Sequence, residues 1–402
     1  MPHQDTRIAM PPARVVLFLS LLLGLQPLTT DLYLPALPGM TQELGASMPQ
    51  AQLTLTALLL AFGASQLIWG PLSDRFGRRP ILLVGVAAYV VASIGSALSP
   101  TIGVLLVWRT LQGAAMGAAV MCARAIVRDL YQPAQGASVM SKGLSGLGVI
   151  ACLSAPLGGL MTAWFNWHAT LLVLAIVGAI TLALIVWRFE ETVRHKNPRA
   201  LEAGTLVHTW RTILRNPTFQ AFSALAVFSY CGLFTFLATS SFVFIRVLGY
   251  TTTQYGLVML CSSTVYILGT FLCRHLLARM GVRKAVAIAG GLSITGGTLM
   301  GVLALAGFQS VWSIMVPHSL FMLAHGIHQP CSQSGAVGPF PKAAGAASAL
   351  NGFLMMVAVF FAGQWLGTHM DGSIAPLTNG MWFWGVLIAL SAWTMVQRHG
   401  NP

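Results

Sequence analysis

The chain of 402 residues is 56% hydrophobic and only 8% charged, with a mean hydropathy of +0.75 and a net charge of +13. Soluble domains carry roughly 25% charged residues, so a water-facing surface cannot be assembled from this composition and lipid is the expected solvent. The apolar excess also excludes a disordered chain, and the basic balance leaves two readings, a nucleic-acid binder or a membrane protein with basic cytoplasmic loops.

Arg7 and Arg14 precede an apolar run that starts at Val15, a layout that mimics a signal peptide. The run is long, carries Asp31 and lacks a convincing cleavage site, so it reads as a retained first span. A spanning helix needs about 20 apolar residues. Six candidates lie at 15–36, 51–70, 80–98, 102–123, 141–161 and 168–187. A polar, basic segment follows at 188–217, and six more candidates lie at 219–244, 255–273, 284–306, 311–335, 344–367 and 377–396. This predicts an all-α membrane protein of twelve helices, with an N-terminal six-helix bundle over 1–187, a linker over 188–217 and a C-terminal bundle over 218–402.

With the amino terminus inside, every Lys and Arg except Arg109 and Arg246 falls on a cytoplasmic segment or helix end. That asymmetry predicts both termini in the cytoplasm and accounts for the +13 without nucleic acid. The six cysteines form no CxxC pair, lie in or beside apolar runs, and read as small buried hydrophobes.

The stretch GPLSDRFGRRP at 70–80 crowds Asp74, Arg75, Arg78 and Arg79 between spans two and three. FGRRP at 76–80 has a weak echo in MGVRK at 280–284, between spans eight and nine, as an ancestral duplication would leave. Residues 70–79 match Gly-x-Leu-x-Asp-Arg-x-Gly-Arg-Arg/Lys in full, and so the chain resembles the major facilitator superfamily of transporters. Positive-inside charge alone would explain the arginines but not Asp74, Gly70 or Gly77. The resemblance implies a conformational gate of Gly70, Asp74, Arg75, Gly77, Arg78, Arg79 and Asp129. Asp74 would face the amino end of span eleven near 343–347, and Arg78 would pair with Asp129.

Asp31, in TTDLYLPALP, is the one acid within a span, roughly 8 Å below the outer interface, and Arg109 lies roughly 10 Å deep in span four. Intramembrane charges are functional candidates. In the superfamily fold, spans 1, 4, 7 and 10 line the central cavity, so the two are expected to pair across it and to couple protons. The alternatives are that Asp31 caps a helix end near Pro35 and Pro38, and that Arg109 snorkels to the interface.

Further stretches narrow the likeness. RTLQGAAMGAA at 109–119 resembles the fourth-span motif, with Gly113 and Gly117 as a close-packing pair. SAPLGGLM at 154–161 resembles the antiporter motif; Ala155, Pro156, Gly158 and Gly159 would bend span five and pack it on span eight, with Ala155 where Gly is usual. TTDLYLPALPGM, SSFVFIRVLGYTTTQYG and AAGAASALNGF look like the Bcr/CflA branch of drug:proton antiporters, which includes bicyclomycin, chloramphenicol and purine nucleoside exporters. Some multidrug relatives carry a second acid in span one where this chain has Leu23, which argues against a two-proton or divalent-cation mode.

The resemblance implies efflux of small organic compounds, of the chloramphenicol or bicyclomycin type, across a bacterial inner membrane, by alternating access and in exchange for protons. The alternatives are export of a metabolite such as a purine nucleoside and, more distantly, a membrane sensor or scaffold, for which no large polar output segment is present. No enzyme chemistry, metal or cofactor is expected, the proton being the coupling ion. The expected partners are a small-molecule substrate and lipid, with no nucleic acid, and the chain is expected to be monomeric. The expected substrate contacts are Asp31, Arg109, Gln112, Met116, Tyr230, Phe234 and His325. Span ten also holds His318 and His328, and its histidines are open to a relay or substrate role or to hydrogen-bonded packing. Phe228, Tyr230, Phe234 and Phe236 of span seven fit a drug pocket and lipid contact equally.

Overall fold

The computed structural model describes residues 10–131, 133–193, 196, 198 and 200–400. Arg7, Arg194, Arg199 and the side chain of Lys342, all used above to orient the chain, lie outside the described residues. The helices are α1 (Pro12–Asp31), α2 (Leu37–Glu43), α3 (Met48–Phe76), α4 (Arg78–Ala97), α5 (Ile102–Leu130), α6 (Pro133–Trp164) and α7 (Trp167–Arg188). Then come α8 (Ala203–Leu214), α9 (Pro217–Phe242), α10 (Thr252–Leu305), α11 (Val311–Val337), α12 (Ala344–His369), α13 (Ala375–Trp393) and α14 (Met395–His399).

Short polar turns start these helices. Ser47 and Thr251 close capping boxes with Gln50 and Gln254, while Thr101, Asn166 and Asn216 each accept an N–H from the first turn that follows. Where a span must turn without a polar loop, glycine does it. Gly281 (φ 74°, ψ 174°) splits the 54-residue α10 into two spans, and Gly77 (φ 107°, ψ 162°) separates α3 from α4. The echoed FGRRP and MGVRK segments thus place the same backbone break half a chain apart.

Ten helical stretches among the described residues are long and apolar enough to cross a membrane. α10 supplies two spans, and α11, made less apolar by its histidines, serines and glutamine, completes twelve. α8 is a helix within the segment expected only to be polar; it buries Ile213 and packs on α9 and α12. In the N-terminal half α5 packs on α3, α4 and α1, with α6 on α1 and α7 on α4; in the C-terminal half α9 packs on α11, α12 and α13, and α10 on α11 and α13. Between the halves the main crossings are α3 on α12 and α6 on α10. Trp187, Leu305, Trp312 and Phe361 lie on the outside, more than half exposed, as lipid-facing residues do.

Polar contacts tie the halves at the end remote from the termini. Gln52 Nε2 donates to the Ala238 carbonyl (2.7 Å), Gln364 Nε2 to Thr56 Oγ1 (3.2 Å), Thr252 Oγ1 to the Gly159 carbonyl (3.2 Å), and Arg246 Nη2 to the Pro38 carbonyl (2.5 Å). Near the opposite end, Arg124 Nη1 donates to Ser348 Oγ at 2.7 Å.

Candidate functional site

Span one does not stop at residue 36. α1 ends at Asp31, a 3-10 turn covers Leu34–Ala36, and α2 carries the path on to Glu43. Asp31 therefore lies about 18 Å along the path from Glu43, near the middle of the span rather than close beneath its outer end. The physical reason is the LPALP sequence: Pro35 and Pro38 withdraw amide donors, and the chain tightens into a 3-10 turn instead of ending. Asp31 Oδ1 accepts from Thr30 Oγ1 at 2.8 Å. No cationic nitrogen among the described residues lies within 4.0 Å of its carboxylate. Tyr230 and Tyr255 of the other half and Cys152 of α6 lie within its electrostatic reach, and Gln26 Nε2 donates across the halves to the Tyr230 hydroxyl at 3.3 Å.

The expected Asp31–Arg109 pair is not made. Arg109 is 0% exposed and sealed inside the N-terminal half. Nη1 donates to Gln112 Oε1 (2.8 Å), Nη2 to the Thr29 carbonyl (3.3 Å), and the guanidinium carbon lies 4.3 Å from the centre of the Tyr33 ring. Gln112 Nε2 passes the network to Ser93 Oγ (2.7 Å), and the Thr29 and Tyr89 hydroxyls share a 2.7 Å bond. Snorkelling is excluded by the same contacts. Gln112 and Met116 are likewise fully buried, so three of the expected substrate contacts form the wall behind α1 rather than an open surface.

In the C-terminal half the histidines diverge. His325 Nδ1 bonds Ser229 Oγ of α9 (2.8 Å), His318 Nε2 bonds Ser262 Oγ of the first half of α10 (2.9 Å), and His328 Nε2 bonds Ser293 Oγ of its second half (3.4 Å). Each pegs α11 to a different neighbour, so the i, i+3 pair His325 and His328 does not converge on one ligand. His318 also stacks on Phe236, ring centres 3.4 Å apart. Phe234 and Phe236 are buried in packing, and Phe234 lies beside Gly363 of α12; neither the drug-pocket nor the lipid reading fits them. Phe228 and Tyr230 are half-buried, and Tyr230 faces the other half through Gln26.

The loop at 70–80 folds around Arg78, which is 3% exposed. Nη1 meets Asp74 Oδ1 (2.7 Å) and Ser73 Oγ (2.6 Å), while Nε and Nη2 grip both oxygens of Asp129 (2.9 and 3.3 Å). Asp74 has a second cation in Arg128 (3.6 Å), and Arg128 Nη1 in turn lies beside Gly345 at the start of α12. Asp74 therefore reaches span eleven through Arg128 rather than directly. Arg75 is exposed over the ring of Phe76, and Arg79 Nη2 donates to the Val186 carbonyl (3.0 Å). Gly70 packs against Met121.

Sequence reasoning missed Glu191. Its carboxylate accepts the backbone N–H of Arg78 (2.9 Å), Arg79 (3.1 Å), Thr192 (2.9 Å) and Val193 (3.0 Å), anchoring the start of α4 to the end of α7. A side chain on Gly77 would collide with that carboxylate, so the glycine is required twice over. The signal was the acidic pair FEE directly after an apolar span, which read only as linker polarity. Gln26, the single amide in α1, and the hydroxyls of Thr29, Tyr33 and Tyr89 were likewise unassigned.

Pro156 sits inside α6, where Gly159 packs on the Thr252 backbone of α10 and Gly256 of α10 packs back on Pro156. Gly158 instead abuts the Leu32 backbone, so the motif also fits α6 to the break in span one; Ala155 is buried beside Gly256.

The model of the Major Facilitator Superfamily matches residues 19–363. Multidrug resistance protein D of Escherichia coli is 28% identical over 392 residues, covering 96% of this chain and 98% of that protein. The bicyclomycin resistance protein homolog of Haemophilus influenzae is 26% identical, covering 96% of each, and the chloramphenicol resistance protein of Pseudomonas aeruginosa is 31% identical, covering 91% and 83%. Among solved structures, the partially occluded inward-open xylose transporter from E. coli superposes with a TM-score of 0.75 at 15% identity, covering 96% and 97%. With twelve spans, a complete signature loop and a family match over most of its length, the chain is a multi-pass membrane protein, a transporter and not an enzyme, and belongs to the major facilitator superfamily.

Proposed function

We propose that the protein exports small organic compounds, of the kind its relatives' names indicate, across a bacterial inner membrane in exchange for protons, with both termini in the cytoplasm. The relatives named for multidrug, bicyclomycin and chloramphenicol resistance support the cargo class. The observation that carries the coupling is Asp31, a carboxylate at a break in mid-span, within reach of tyrosines of the opposite half and without a cation of its own. An unpaired carboxylate in a membrane is held at low cost only when protonated or when a ligand compensates it. Proton and substrate therefore compete for it. Arg109 serves as a positioning residue: it grips the Thr29 carbonyl and the Tyr33 ring on either side of Asp31 and fixes the break.

In the cycle, substrate enters from the cytoplasm and engages deprotonated Asp31, and the halves rock about the α3–α12 and α6–α10 crossings. An outside proton then displaces the substrate, and the protonated carrier returns to release that proton inside. The test is proton release in weakly buffered detergent on adding chloramphenicol, florfenicol, bicyclomycin, ethidium, fluoroquinolones or purine nucleosides. Release by wild type and none by Asp31→Asn is the expected result. Undiminished release by the variant would overturn the role of Asp31, and release with nucleosides alone would reassign the cargo to a metabolite.

A further inference from the structure

Three helix ends meet at the basic face of the N-terminal half: the start of α1, the start of α4 and the end of α7. They border an open groove of about 550 Å³ whose wall carries three guanidinium groups, Arg14, Arg79 and Arg188. Among the described residues none of the three has a carboxylate within 4.0 Å. Arg79 Nε is buried and without a hydrogen-bond partner. The wall also holds two carboxylates. Glu191 is committed to four backbone N–H groups, and Glu190 lies exposed.

Three guanidinium groups outnumber the two carboxylates, of which Glu191 is already committed to backbone N–H groups, so the groove keeps an excess of positive charge that suits an anion, and guanidinium geometry matches phosphate oxygens. The site's surroundings select the source. Trp187, on the same wall, is 77% exposed and Val186 46%, at the end of an apolar span where indole rings mark the boundary between water and hydrocarbon. The Phe189 ring packs edge-on against Phe18 (5.2 Å) and fastens the end of α7 to α1. Trp187 and Val186 put the groove at the edge of the lipid-facing surface, where a phospholipid would place its phosphate among the arginines and its acyl chains along α7.

We propose that this groove binds the phosphodiester head group of an anionic phospholipid. The site is independent of the cargo and of the coupling carboxylate. Through Arg79 it borders the loop at 70–80, so an occupied site would brace the Glu191-anchored start of α4.

The experiment is native mass spectrometry of delipidated protein titrated with phosphatidylglycerol, comparing wild type with Arg14→Gln/Arg188→Gln. The expected result is one tight phosphatidylglycerol on wild type and binding about thirtyfold weaker in the double variant. Both proteins should unfold at the same temperature in lipid-free detergent, since neither arginine makes an ion pair among the described residues. Equal binding of phosphatidylglycerol by the two proteins would overturn the proposal. Equal retention of phosphatidylethanolamine by wild type would overturn the preference for an anionic lipid. Displacement of the lipid by millimolar glycerol phosphate would assign the site to a soluble phosphate instead.

Discussion

Gly77 and Gly281 occupy equivalent breaks in the two halves, and substituting each with alanine should have unequal consequences. Both lie where φ is positive and ψ near 180°, a region essentially restricted to glycine, so each alanine carries a strain of about 1–3 kcal/mol. Around Gly281 there is open space, and strain is the whole effect. At Gly77 the new methyl also displaces the Glu191 carboxylate, which holds the first two N–H groups of α4. Charge-assisted bonds of this kind contribute about 1.5–3 kcal/mol each when buried. Glu191 is exposed, and solvent screening reduces the pair to about 1–3 kcal/mol together. Gly77→Ala should therefore destabilise by about 2–6 kcal/mol and Gly281→Ala by about 1–3. The assay is unfolding in mixed micelles by denaturing detergent, run as a double-mutant cycle with Glu191→Ala. In the Glu191→Ala background, Gly77→Ala should fall to the level of Gly281→Ala, a coupling of about 1–3 kcal/mol. Strict additivity, or equal effects of the two glycine substitutions in wild type, would refute the claim that Glu191 and Gly77 act together.

Asp31→Asn should leave unfolding stability within about 1 kcal/mol of wild type, because no ion pair is broken. Gln112→Leu should cost about 1–3 kcal/mol by stranding Arg109 Nη1. The same unfolding assay checks both, and a large loss in Asp31→Asn would reveal a cation partner in solution. Arg78→Met should destabilise by about 3–5 kcal/mol, since it leaves Asp74 and Asp129 facing one another without their shared cation; a loss below 1 kcal/mol would show the cluster to be ornamental. Thr56→Cys with Gln364→Cys should cross-link α3 to α12 under oxidant, stopping transport until reductant is added. Transport that continues through the cross-link would exclude opening of the halves at that end.

Much of the architecture was legible because lipid enforces it. Apolar length and the glycine-marked repeat at 77 and 281 are one-dimensional signals, and each has a direct counterpart in the helices. Arg78 with Asp129 was legible for a related reason: a charge between two apolar spans has few places to go. The choice among roles for the α11 histidines stayed open in the sequence because spacing gives the azimuth of a side chain and not its partner; α9 and the two halves of α10 each take one imidazole. Glu191 was invisible for the opposite reason. Its role depends on a backbone break more than a hundred residues away, and nothing local distinguishes it from Glu190.

The misplaced Asp31–Arg109 pair follows from the helix period. Asp31 lies deeper than its place in the apolar run implies, but the two charges do share one level, since Arg109 reaches the carbonyl two residues before Asp31. A shared level does not fix azimuth. Side chains four apart share a helix face, and those two apart are turned by about 200°. Thr29 and Tyr33 together face α5: one carbonyl and one ring hold the guanidinium, and the Thr29 hydroxyl meets Tyr89. Asp31, midway between them, is thereby turned away from α5, with Tyr230 and Tyr255 of the other half within its electrostatic reach. The consequence is a division of labour. In the proposed cycle the cation is built into a wall that the N-terminal half can retain throughout, whereas the anion would sit where the two halves move against one another. A carboxylate locked to Arg109 would be poor at exchanging protons for cargo, because the arginine would outcompete both; a carboxylate held in place by that arginine but not neutralised by it stays available to either.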